Sequence, residues 1–189
     1  MTIEHSVIQD PYIHEPKGAS TALAGTVYVS NGAGSGSWTA SRNTIFGELV
    51  QYGDGALHTL QSDGIYSKIP GWSNGLNNGT TPLSGSSEIQ IDSSGIYQIN
   101  FYTSFLTEAI ADRANFNFKY AINDTPTTQK ITVMKPTSQV DALSCFGTWI
   151  VSLTAGQKIS AYIAGDTLSA TSTIAITDAG LQVIMLKSA

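Results

Sequence analysis

The chain has 189 residues, 41% of them hydrophobic and only 12% charged, with a formal net charge of −5. That hydrophobic share supports a packed core and excludes global disorder. The acidic balance, a pI near 4.9 and the lack of a basic run exclude a nucleic-acid binder that works by releasing counterions from phosphate. Cys145 is the single cysteine, so no intrachain disulfide forms. No stretch approaches the length of a membrane-spanning helix, so no membrane insertion is expected. The opening MTIEHSVIQD lacks a basic region followed by an apolar run, and no secretion signal is expected from it. Low charge with abundant neutral polar residues fits a β-rich protein that hides surface in an oligomer, and fits a monomer as well.

Residues 1–45 differ from the rest. Asp10-Pro11 and Glu15-Pro16 hold the backbone extended before each proline, and neither proline can donate to a ladder. A short strand is expected at Thr26–Ser30 (TVYVS), followed by the glycine-rich Asn31–Ser37 and then Trp38. This segment can bury Val27, Val29 and Trp38 only against something else. It is either a flexible tail or a docking peptide that gains order on a partner. Its TVYVS strand suits addition to an exposed sheet edge. Gly32, Gly34 and Gly36 do not make a nucleotide loop, because no Lys-Ser/Thr pair and no helical pattern follow.

Thr44–Val50 fits a strand or a brief helix. Residues 57–60 and 65–69 alternate like strands. Residues 71–85 (GWSNGLNNGTTPLSG) are expected to form a long turn-rich loop in which Trp72 caps the core. The stretch Glu88–Leu106 organises the body and reads as one long strand interrupted by a Ser93-Ser94-Gly95 turn. Tyr97, Ile99, Phe101, Thr103 and Phe105 share one parity, against Gln98, Asn100, Tyr102 and Ser104 on the other. The apolar face suits a core; the neutral polar face suits a wet or subunit-facing surface.

Thr107–Ala114 reads as a loop or a single helical turn. Strands follow at 116–122, closed by an Asn123-Asp124 turn, at 129–134, ended by Lys135-Pro136, and at 140–153. After a Thr154–Gln157 turn come strands at 158–165, 173–176 and, past Thr177–Gly180, 181–187. About ten punctuated strands with no convincing helix predict an all-β sandwich or jelly roll.

The order of these pieces resembles a known pattern: Gly95-x-Tyr97-x-Ile99-x-Phe101, a strand ending in an Asn turn (Phe116–Asn123), a long strand reaching Trp149–Leu153, then TAGQKIS (154–160) and GLQVI (180–184). It is similar to the jelly roll of the complement globular head and tumour necrosis factor superfamily, over residues 55–189. Gln157 stands where many members carry Asp. The resemblance implies tight parallel homotrimers around a threefold axis of aromatic and aliphatic side chains. The implied trimer contacts are Tyr97, Phe101, Phe116, Phe118 and Tyr120, or opposite-face neighbours such as Tyr102; parity alone leaves both faces open.

The N-terminal HEPKGAS (14–20) and AGTVYVSNGAGSGSW (24–38) resemble a segment of small tailed-bacteriophage proteins, often head fibres or head-decoration proteins. This implies that residues 1–45 are an extended arm attached to the virion through His14, Glu15, Pro16, Lys17, Gly18, Tyr28 and Trp38. Residues 46–189 would then be a trimeric head on the outer surface of a particle assembled in a bacterial cytoplasm. The implied partners are further copies of the chain and the major capsid protein or another virion protein, with capsid and tail both open as anchor. The alternative is a tail-associated receptor-binding module that recognises a host surface glycan through loops such as 107–114 and 135–139. A third reading is a glycan-cleaving enzyme, whose carboxylate pair would be defined in space and not by spacing.

Little in the sequence points to chemistry. His5, His14 and His58 make no HxH or HxxxH pair, so no metal site is expected. No GxSxG or activated nucleophile is present. Asp112, Asp124, Asp141, Asp166 and Asp178 are expected in turns, without EF-hand spacing, and Cys145 reads as a small core residue. No cofactor is expected, and the chain is expected to bind, not to catalyse.

Overall fold

The structure, a computed structural model, describes residues 21–23, 26–30, 36–40, 44–53, 57–61, 64–107, 114–135, 142–166 and 172–189. The chain divides into two compact units, Met1–Asn43 and Thr44–Ala189. His14, Glu15, Pro16, Lys17 and Gly18 lie outside the described residues.

In the first unit, β1 (Thr26–Ser30) pairs antiparallel with β2 (Gly36–Ala40), Tyr28 opposite Trp38 and Val27 opposite Thr39. The Tyr28 and Trp38 rings meet edge to face with centroids 5.5 Å apart, a geometry that aromatic quadrupoles favour. A side chain at Gly36 would collide with the Val29 carbonyl and the Tyr28 ring, so the hairpin closes only with glycine there. The TVYVS strand therefore takes a partner from the arm itself. GSWTA gave no strand signal because glycine and serine are depleted in strands.

The second unit is a two-sheet sandwich. Its strands are β3 (Phe46–Tyr52), β4 (Leu57–Thr59), β5 (Ser67–Lys68), β6 (Ser73–Asn78), β7 (Thr80–Leu83), β8 (Glu88–Ile91), β9 (Gly95–Thr107), β10 (Ala114–Ile122), β11 (Thr125–Pro126), β12 (Ile131–Lys135), β13 (Ala142–Leu153), β14 (Lys158–Asp166) and β15 (Thr173–Ser188). Sheet I runs β11-β10-β14-β8-β7, with β12 on β10 and β5 on β14; sheet II runs β13-β9-β15-β3-β6, with β4 on β15. All pairings are antiparallel, and non-neighbouring strands sit side by side, as a jelly roll requires.

The period-2 pattern of β9 decides the core. Tyr97, Ile99, Phe101 and Phe105 point inward and are at most 2% exposed, meeting Phe116, Phe118, Ile159 and Ile163 of sheet I and Leu181 and Val183 of β15. Trp72 closes one part of this core, with its indole N–H donating to the Ile69 carbonyl at 2.7 Å, as expected of a capping tryptophan.

Several expectations are corrected. Glu88–Leu106 is two strands in different sheets: β8 belongs to sheet I and β9 to sheet II. The chain turns the corner at Ser93, whose carbonyl accepts from the Tyr97 hydroxyl at 2.6 Å. Residues 71–85 are not a loop, since β6 and β7 run through them about Gly79, held at φ +66°. Thr173–Ser188 is one strand with irregularities between Ile176 and Asp178 and between Met185 and Lys187, so Asp178 lies within a strand and Asp166 ends one. Asp124 does sit in a turn, where it and Asn123 adopt left-handed φ values of 62° and 50°.

Candidate functional site

The two outward faces of the sandwich differ in chemistry. On sheet I, the side chain of Glu88 is 6% exposed and is surrounded by donors. Lys68 Nζ lies 2.9 Å from one carboxylate oxygen, Lys158 Nζ 3.0 Å from the other, and the Ser86 hydroxyl donates to it at 2.9 Å. Lys68 also pairs with Asp124, which accepts from the Tyr162 hydroxyl at 3.0 Å. Burial pushes the Glu88 carboxyl up, but the hydrogen bonds from Lys68, Lys158 and Ser86 outweigh it and hold the group below its ordinary value. Nearby, Lys119 Nζ stands 4.2 Å over the Tyr66 ring. Around β5, β8 and β14 this face is closed by its own ion pairs, and Met134 of β12 stands exposed on the same sheet.

Sheet II is different. Neither β9 nor β13 carries a single charged residue over their combined lengths (GIYQINFYTSFLT and ALSCFGTWIVSL). They pair in unbroken register from Ala142↔Leu106 to Leu153↔Gly95. The outward parity of β13 presents Phe146 and Ile150, each 65% exposed. Beside Phe146 lies Tyr102, and beyond it Gly180 and Val50. The next row is polar and internally satisfied: Thr148 Oγ1 and Gln98 Nε2 each donate to Asn100 Oδ1 at 2.9 Å, and Gln182 Nε2 donates to Glu48 Oε1 at 2.7 Å. Burial, with the charges of Glu48 and Asp178 and a hydrogen bond to Tyr52, keeps the half-buried Tyr102 phenol above its usual range.

At the other side of the same sheet, Gly75 and Leu76 of β6 stand against the single residue Glu48 of β3, a bulge flanked by the pairs Gly47↔Asn77 and Leu49↔Asn74. Beside the bulge lies an open groove of about 300 Å³, lined by Thr44, by Phe46 and Glu48 of β3, by Leu76 of β6 and by Gln182 and Ile184 of β15.

The residues named from sequence separate cleanly. Tyr97, Phe101, Phe116, Phe118 and Tyr120 are at most 5% exposed within one chain, so they fill the sandwich and cannot touch another copy. Tyr102, on the opposite parity, is the one of the six on an outward face. Phe146, Ile150 and Leu76 were missed. The first two sit on the outward parity of a strand whose sequence signal is its inward parity, and Leu76 sits among glycine and asparagine residues that predict a loop. Tyr102 rests on Gly180, where a methyl would run into the tyrosine ring. Gly180→Ala is expected to cost about 1–2 kcal/mol, and nearly nothing in a Tyr102→Ala background. Urea unfolding of the double-mutant cycle measures this, and an equal cost in both backgrounds contradicts the packing.

Among the described residues no group of three or more His, Cys, Asp or Glu side chains could hold a metal ion. His58 Nε2 lies 3.1 Å from Ser67 Oγ, a proximity invisible in sequence, but the hydroxyl also bonds the Ile163 carbonyl at 3.5 Å. The pair therefore links β4 of sheet II to β5 of sheet I. Burial lowers the His58 pKa and pushes the Cys145 thiol up to about 12, which keeps the thiol protonated and unreactive.

Two stacked antiparallel sheets in this order make the body a jelly roll of the tumour necrosis factor and complement-head type. It is similar to the Eiger TNF from S. frugiperda (13% identity, TM-score 0.52, covering 78% of this chain and 96% of that one). It is also similar to the globular domain of zebrafish complement 1qA protein (10% identity, TM-score 0.53, 78% and 100%). At these identities the likeness is one of fold. No family model and no curated protein matches the chain.

Proposed function

We propose that the chain is a non-enzymatic structural protein of a phage particle. In this reading the jelly roll associates in threes through the outward face of sheet II, and the N-terminal unit attaches the assembly to the virion, on its capsid or another surface component. The observation that supports self-association is the contrast between the faces. The β5, β8 and β14 part of sheet I carries paired charges, whereas β9 and β13 offer an uncharged surface with Phe146, Ile150 and Tyr102 on it. Depletion of charge with aromatic enrichment is the composition of an interface core, and an exposed apolar edge strand without charge is otherwise an aggregation liability. The sequence resemblance of residues 14–20 and 24–38 to phage head proteins supports the attachment role, as does a Tyr28–Trp38 hairpin too small to be stable alone. Three linked arms would bind far more tightly than one.

Two measurements test this. The mass of the purified chain in solution should be three times 20.0 kDa, and a monomer would end the self-association reading. Removing residues 1–43 should leave the trimer intact but abolish binding to particles that lack the protein. Unchanged particle binding would move the attachment site onto the jelly roll. Lost adsorption to host glycan with full particle occupancy would instead favour receptor recognition.

A further inference from the structure

We infer that β4 and β5 form an acid-released clasp, in which His58 and Ser67 hold the two sheets together at one edge and protonation of the imidazole lets that edge part. The inference is independent of the proposed function and holds within a single copy of the chain. β4 pairs with β15, placing Leu57, His58 and Thr59 opposite Ala175, Ile174 and Thr173; β5 pairs with β14, placing Ser67 and Lys68 opposite Ile163 and Tyr162. Neither strand has a second ladder partner among the described residues. His58 and Ser67 meet across the gap between the sheets, each opposite an isoleucine (Ile174, Ile163) that is 0% exposed. Leu60, on the same parity as His58, is buried, and its N–H donates to the Ser172 carbonyl at 2.9 Å. Glycines with positive φ flank the strand, Gly53 at +56° and Gly64 at +73°, so the chain turns at both ends without strain. With so few ladder bonds, this edge belongs to the low-stability end of the fold.

Protonation acts through charge and not through loss of bonding. The imidazolium can still donate to Ser67 Oγ while the Ser67 hydroxyl donates to the Ile163 carbonyl at 3.5 Å. It would then be a cation at the rim of an apolar core with no carboxylate against it. Leu57 and Thr59 of β4, Thr173 to Ile176 of β15, and Leu106 and Thr107 of β9 are all uncharged. On β5 and β14, Lys68 is engaged by Glu88 and Asp124, Tyr162 bonds Asp124, and the Asp166 charge acts on Tyr66. Burial is accordingly what bears on His58, and it disfavours the charged form. A parted, solvated edge takes the proton more readily than a closed one, so acid favours opening.

The test is hydrogen exchange of the full-length protein, read by mass spectrometry on peptides covering 57–61 and 97–105 and corrected for the intrinsic effect of pH. The opening constant of 57–61 should exceed that of 97–105 throughout, which marks a local opening. Between about pH 6.5 and 5 it should rise by up to about tenfold per unit. In His58→Gln, which keeps a hydrogen-bonding side chain but does not titrate, it should be flat over this window. His5 and His14 belong to the first unit, so any contribution of theirs survives in that variant. Ser67→Ala keeps the histidine and serves where His58→Gln does not fold; it should open roughly 2- to 10-fold more at neutral pH and still respond to acid. Equal opening constants for the two peptides, a flat wild-type profile, an acid response retained in His58→Gln, or unchanged protection in Ser67→Ala would each overturn the clasp.

Discussion

Phe118→Ala is expected to lower the unfolding free energy by about 3–5 kcal/mol. The ring is 1% exposed and stands 5.5 Å from both Phe101 and Phe105, so it ties sheet I to sheet II at the middle of the sandwich. The cavity left behind has little freedom to collapse. β10 is laddered on one side to β12 and on the other to β14, and β9 lies between β13 and β15. Against the ordinary total of about 5–15 kcal/mol for a domain, this is a large share. The thermal midpoint should fall by roughly 10 °C. Urea unfolding at fixed protein concentration is the measurement, because association adds its own stabilisation by mass action. A loss below about 1 kcal/mol would mean that the ring does not bridge the sheets.

Glu88→Gln is the second large effect, about 2–3 kcal/mol at neutral pH. The amide keeps the shape but leaves Lys158 without its carboxylate and Lys68 with Asp124 alone. The figure sits below that for a fully buried pair because the Lys158 side chain is 40% exposed and water replaces part of the lost interaction. The pH dependence follows from the shifts. Hydrogen bonds from Lys68, Lys158 and Ser86 outweigh burial and bring Glu88 below 4.5, while the Lys68 bond brings Asp124 below 3.8. Their stabilisation is full above those values and is lost as pH falls through the folded-state pKa values. Lys68 moves the other way. Burial lowers it, but bonds to Asp124 and Glu88 raise it above 10.5, so its contribution is full below that value and is lost on further alkalinisation. With His58 held neutral and the Cys145 thiol held protonated by burial, stability should be flat only from ~6.5 to ~9 and fall on both sides, the Glu88 and Asp124 loss forming the lower part of the acid limb. The Glu88→Gln profile should show a lower plateau and a shallower acid limb. An unchanged acid limb would show that Glu88 is not the group that titrates.

Which parts of this architecture were legible in the sequence follows from what each strand touches. β9 was readable because its two faces meet opposite environments, so Tyr97, Ile99, Phe101 and Phe105 alternate with polar neighbours. β10 was readable for the same reason. β6 was not: SNGLNN has no apolar face to bury, and it is held by β3 and by bonds such as Asn78 Nδ2 to the Thr44 carbonyl at 2.9 Å. Propensity carries no information about a strand recruited by its neighbours. The corner at Asp92–Ser94 was misread because alternation continues through it, and periodicity does not report which sheet a strand joins. The candidate face was half legible. Tyr102 was named, but assigning it required knowing that the other parity is filled by Phe116 and Phe118 from sheet I. Phe146 and Ile150 are ordinary strand residues until the structure shows nothing packed over them among the described residues.

Glu48 and Gln182 are hydrogen-bonded neighbours in space yet 134 positions apart in the chain. β3 is therefore synthesised early and, although β6 can pair with one side of it, the side taken by β15 must wait for nearly the whole body to be made. Closing so long a loop is slow, as it is for other folds dominated by distant pairings. During that interval Phe46, Leu49 and Val50 are open to wrong partners, including the same strand on a neighbouring ribosome. A substitution that delays β15 would thus reduce yield through misassembly even where the finished fold is no less stable.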